Sequence, residues 1–99
     1  MSDTRAFREA TIRTVTESQA RSSADARRAA FANDGVAEPA RALVAKVVEH
    51  AYTITDDDVH AAAKALGEDE VFELVVCAAI GQATRQLDAA LAVLAEAEV

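Results

Sequence analysis

Little in this chain is equipped for redox or metal chemistry. Cys77 is its one cysteine, which excludes an intrachain disulfide framework and a thiolate zinc site. Tryptophan is absent, and the aromatics stop at Phe7, Phe31, Tyr52 and Phe72. A core must therefore come from small aliphatic side chains. Three glycines and one proline disfavour a turn-rich β architecture and leave alanine-rich helices as the economical solution. Basic residues are the minority, 10 Lys/Arg against 17 Asp/Glu, for a net charge of −7. Nucleic-acid binding needs clustered Lys/Arg to displace counterions, and an anionic lipid surface repels an acidic chain, so neither partner is expected. No run approaches the ~20 apolar residues of a membrane span, and no charged-then-apolar leader opens the sequence. A cytoplasmic protein is the expectation. Nor is there a Gly-rich phosphate loop, a His-x-x-x-His or Glu-x-x-His pair, or a Ser/His/Asp arrangement, so no cofactor and no metal is expected.

What is present is helical periodicity. Ninety-nine residues make one domain, placed here at 23–96, with 1–22 as an N-terminal helix or arm that orders against a partner. The first helix, 3–20, puts Phe7, Ala10 or Thr11, and Val15 on one side, and its threonines lower its propensity. A cap at Ser22-Ser23 opens Ala24–Ala32, stopped by Asn33-Asp34-Gly35, with Arg27 and Arg28 expected on a solvated face or beside a surface acid rather than in a ligand clamp. Glu38-Pro39 then opens a helix over 39–51, in which Ala40, Leu43, Val44, Val47, Val48 and Ala51 follow an i, i+3, i+4 stripe. His50 borders that stripe and Tyr52 follows its end.

Thr55 caps the next helix, 56–66, with Asp56, Asp57 and Asp58 against the positive end of its dipole. Three consecutive aspartates also suggest a cation site, although no calcium-type loop follows. His60 falls on the outer side with Asp56 and Lys64, and Gly67 ends the helix. A last helix runs from Glu68 to about Ala95. Its segment Val71–Ile80 is apolar nearly all round except for Glu73, the pattern of a central helix or one shared with a neighbouring subunit. Ala78, Ala79, Gly81 and Ala83 allow a second helix to approach closely, and Cys77 reads as a small hydrophobe in that setting. Glu73, an acid in an apolar decade, requires a partner or a cleft; Arg85 or an earlier arginine is a candidate. Charge is uneven along the chain: eight Lys/Arg against seven Asp/Glu up to residue 50, then two against ten.

Arg41 to Leu94 resembles the carboxymuconolactone decarboxylase and alkylhydroperoxidase D-like superfamily. The resemblance rests on Arg41-Ala42-Leu43, the helix break at 50–55 and the short helix 56–66. Glu68-Asp69-Glu70-Val71-Phe72-Glu73 and Ala78-Ala79-Ile80-Gly81 complete it. It implies an all-α bundle of about five helices, packing across subunits into a homo-oligomer. The family's Glu-x-x-Cys-x-x-Cys-x-x-x-His signature is missing, since His50 and Thr53 stand where the cysteines would fall and Asp57 where the histidine would. Peroxide reduction by the family's route needs a low-pKa thiolate with a resolving cysteine, and no such pair exists here.

Two functions stay open. One is a non-redox lyase or isomerase acting on a small organic acid. In it His50 is a general acid or base, Tyr52 orients substrate, and Glu73 or Arg85 completes the site. The other is a non-catalytic binding or assembly module on the same scaffold, with His50 and Tyr52 serving the helix end and its turn.

Overall fold

The computed structural model describes residues 2–97, with side chains from residue 5 onward. It is all-helical: α1 (Ser2–Glu17), α2 (Ala24–Ala32), α3 (Arg41–Glu49), a single 3₁₀ turn (Ala51–Thr53), α4 (Asp56–Leu66) and α5 (Glu68–Ala97), with no strand among the described residues. The helix ends carry their signals in the sequence. Ser23 accepts from the Ala26 amide to open α2, and Asn33 closes it in the left-handed region at φ 51°. Asn is one of the few residues that enters that region at low cost. Thr55 and Asp58 form a reciprocal capping box on α4, and Gly67 (φ 92°) ends it.

α5 is the axis of the bundle. Ala30 from α2, Val36 and Ala40 from the connecting segment, and Val44 from α3 enclose Leu74, Cys77 and Ala78. A second, smaller cluster joins Leu43, Ala62 and Val71. With no large aromatic inside, close approach of backbones replaces side-chain bulk. Gly81 is where this is most acute: a Cβ there would collide with the backbone carbonyl of Phe31 and lie 3.0 Å from the Phe31 Cα. The end of α2 therefore rests directly on α5.

Three expectations are corrected. The helix placed at 39–51 starts at Arg41 and ends at Glu49. The Ala40 amide bonds to Ala37 in a turn at 3.2 Å, so the first helical bond is Val44 N–H to the Ala40 carbonyl at 2.9 Å. Pro39 thus lies in the approach to the helix rather than in its first turn. α1 stops at Glu17 rather than residue 20. Its inner face is Ile12, Val15 and Thr16, while Phe7 stands in solvent. Its threonines return their hydroxyls to carbonyls four residues back (Thr11 to Phe7, Thr14 to Ala10, Thr16 to Ile12, 2.8–2.9 Å), which satisfies them without a partner. Finally, Arg27 is not on a solvated face. It is 3% exposed, whereas Arg28 does sit outside, paired with Asp25.

The molecule measures 51 × 30 × 20 Å. The long dimension follows from α5, whose 30 residues span about 45 Å at 1.5 Å each. No helix among the described residues is long and apolar enough to cross a membrane.

Candidate functional site

The break after α3 is built from backbone rather than side chains. Thr53 donates twice to the His50 carbonyl, through its amide (2.9 Å) and its hydroxyl (2.7 Å). The His50 amide donates back to the Lys46 carbonyl at 2.8 Å. This double closure bends the chain into the 3₁₀ turn. The rings of His50 and Tyr52 meet edge to face, centroids 5.9 Å apart. Both side chains lie on the surface, Tyr52 at 86% exposure. The turn is therefore held by the His50 main chain and the Thr53 hydroxyl, not by the imidazole or the phenol.

Glu73 is engaged elsewhere. Its Oε1 accepts from the Ser22 hydroxyl (2.6 Å) and the Ser22 amide (2.7 Å), and its Oε2 accepts from the Arg21 amide (3.2 Å). Burial pushes this carboxyl up. The hydrogen bonds from Ser22 and Arg21 outweigh that effect, helped by the nearby Arg27 charge, and hold Glu73 below its ordinary value. Charge-assisted bonds to backbone amides stabilise the ionised form. The partner that the lone acid required is thus the loop between α1 and α2.

Arg27 completes the other side of this polar seam. Its guanidinium donates to the Val15 carbonyl at 3.1 Å and to the Ser18 carbonyl. These are carbonyls that the end of α1 leaves without helical partners. Cys77 lies below, its Sγ 3.6 Å from the same Val15 carbonyl. Burial raises its pKa, with Arg27 opposing and Glu73 adding to the rise, so the thiolate is disfavoured. Cys77 is a core side chain, as its apolar neighbours in the sequence imply.

Arg85 caps α2 instead of serving Glu73. It donates to the Phe31 carbonyl at 2.7 Å and to Gln82 Oε1 at 3.2 Å. Twelve positions separate it from Glu73 on one helix, about 18 Å of axis. The structure therefore brings His50 and Tyr52 together but gives Glu73 and Arg85 separate neighbours.

Of the three aspartates, Asp58 does the local work: its Oδ2 takes Lys46 Nζ at 2.7 Å and the Thr55 amide at 3.0 Å. The Lys46 bond, then the Thr55 amide, lower its pKa. This α3–α4 ion pair was not foreseen, because residues twelve apart on two helices share no local pattern. Arg27 was more accessible to inference. It is three residues from Ala30, so helical period puts it on the face that Ala30 buries.

Three concavities lie elsewhere. One of about 300 Å³ lies between α2 and the segment before α3, against Leu66 and Leu74. A polar one of about 570 Å³ surrounds the α4–α5 turn. A third, about 540 Å³, is an apolar groove where Val59, His60 and Ala63 face Val71, Phe72 and Val75. None of the three is lined by His50, Tyr52, Glu73 or Arg85. Set against protein-family models, curated proteins and solved structures, the chain matches none.

Proposed function

We propose that this chain is a non-catalytic helical assembly module, on a scaffold of carboxymuconolactone decarboxylase-like type that lacks the redox dithiol. The observation that carries the reading is an imbalance on α5. Its interior polar groups are consumed by the chain's own backbone, while Phe72, Leu87, Leu91, Val93 and Leu94 are left uncovered. Apolar surface of this extent is the raw material of an interface. The lyase or isomerase alternative asks Glu73 or Arg85 to join His50 and Tyr52 at a substrate. Glu73 and Arg85 instead serve the α1–α2 loop and the end of α2.

Homo-oligomerisation is the activity this reading assigns. Light scattering at micromolar concentration should give a mass above the 10.4 kDa of one chain. His50→Ala and Tyr52→Phe should leave that mass and the thermal midpoint unchanged, as exposed positions ordinarily do. A monomer, or an oligomer that either substitution dissolves, would refute it.

A further inference from the structure

We infer that two copies of this chain pair through the outer face of α5, running antiparallel across a two-fold axis at Ala83. This rests on the assembly reading above and names its partner.

α5 has two apolar faces. At 100° per residue the buried positions Val71, Leu74, Cys77, Ala78 and Gly81 cluster on one side. Phe72, Val76, Ile80, Leu87, Leu91 and Leu94 fall roughly opposite, within about 65° of a single line. Within the bundle Val76 and Ile80 are half-buried. Farther out the ridge is open: Phe72 is 68% exposed, Leu87 46%, Leu91 49% and Leu94 58%. From Phe72 to Leu94 the ridge runs about 33 Å.

Charge selects the occupant. Copies of a chain carrying −7 repel one another wherever their acids meet. The ridge carries none over six turns. Glu73 is turned onto Ser22, and Arg85 and Asp88 lie on the other side, bonded to the Phe31 carbonyl and to Arg8. A basic partner would be drawn to Glu68–Glu70 or to Asp56 and Asp57, not to this strip. An identical copy, in contrast, can approach here without bringing like charges together.

The ridge is also its own complement. Inverted about Ala83, Phe72 meets Leu94, Val76 meets Ala90, and Leu87 of each copy meets Ala79 of the other. Large side chains thus fall at both ends, with alanine at the crossing, where helix axes can close to about 8 Å. A contact that matches itself under inversion is isologous and stops at two copies. The antiparallel sense also keeps the acidic starts of the two α5 helices apart and opposes their dipoles. A parallel pair would stack Glu68–Glu70 on its copy.

The test combines sedimentation velocity with directed crosslinking on the full chain. The wild type should sediment as a dimer at about 100 µM. Ala83→Arg, on the exposed crossing, should weaken dimerisation on the order of 100-fold while leaving helical circular dichroism intact. In a Cys77→Ala background, mixed Phe72→Cys and Leu94→Cys chains should oxidise to the mixed disulfide. A wild-type monomer would overturn both the assembly reading and this pairing. An oligomer indifferent to Ala83→Arg, a trimer, or crosslinks of Leu94→Cys to itself would overturn this seam and leave the assembly reading standing.

Discussion

The two halves of α5 are both helical and both carry large apolar side chains, in opposite circumstances. From Glu68 to Gly81 the helix is clasped by α2, α3 and α4 and buries Val71, Leu74, Cys77, Ala78 and Gly81; from Gln82 to Ala97 it buries nothing. Alanine and leucine make the distal half helical, while the valine-rich proximal half is held helical by packing. Whether a leucine is then covered depends on how far the neighbours extend. α2 ends on Gly81, and beyond that point Arg85 bonds to Phe31 and Asp88 to Arg8. The boundary between core and free helix falls where the nine-residue α2 ends.

The sharpest way to break the comparison is to make one change in both halves. Leu74→Ala should cost about 3 kcal/mol of stability, since it removes a buried side chain and leaves a cavity. Leu91→Ala should cost under about 0.5 kcal/mol in a monomeric background such as Ala83→Arg, because nothing covers that side chain. Chemical denaturation of each variant checks both figures, and equal losses would mean that the distal half is packed within its own chain. Next in size is Gly81→Ala. In a free helix this exchange gains about 1 kcal/mol. Here the added methyl strikes the Phe31 backbone, and a net loss of about 2 kcal/mol is expected. For a domain of this size that lowers the thermal midpoint by about 10 °C, readable by calorimetry.

The smallest effect concerns pH. Glu73 is held below its ordinary value of about 4.5, so the unfolded chain takes up its proton more readily than the folded one. Its contribution is complete above pH 4.5 and is lost as pH falls through the lower, folded value. Urea midpoints should therefore drop between pH 6 and pH 3. Glu73→Gln should flatten that part of the drop, and an unchanged profile would refute the role given to the Ser22 and Arg21 bonds.

The parts of this architecture that local rules govern were legible in the sequence. Ser23, Asn33, Thr55 and Gly67 mark helix ends because each satisfies or releases backbone groups next to it in the chain. The all-α class followed from period and composition. The missing dithiol is equally plain, since one cysteine cannot form a pair. Pro39 misled because proline at a helix start and proline in a turn before it share the same φ. Phe7 misled because the side that α1 presents inward is decided by where its end docks, at Thr16 and Val15, not by its largest side chain. Arg27 and Glu73 show what is lost without the third dimension. A charge with no local partner is a solvent group or a tertiary bond, and only the fold distinguishes them. The four candidate site residues were chosen for chemical type. Two of them turn out to bond main-chain groups at a loop and a helix end.

One consequence of Arg27 concerns the order in which the molecule assembles. α1 has no glycine or asparagine stop of its own. The carbonyls at its end, Val15 in its last turn and Ser18 just beyond it, are satisfied by a side chain from α2. That guanidinium is in position only once α2 is helical and Ala30 is seated against α5. α1 thus inherits its terminus from a helix that follows it in the chain, and its amides should be protected after those of the α2–α5 core. Pulse-labelled hydrogen exchange would register this sequence directly, with amides of Leu74 to Gly81 slowing before those of Ile12 to Thr16.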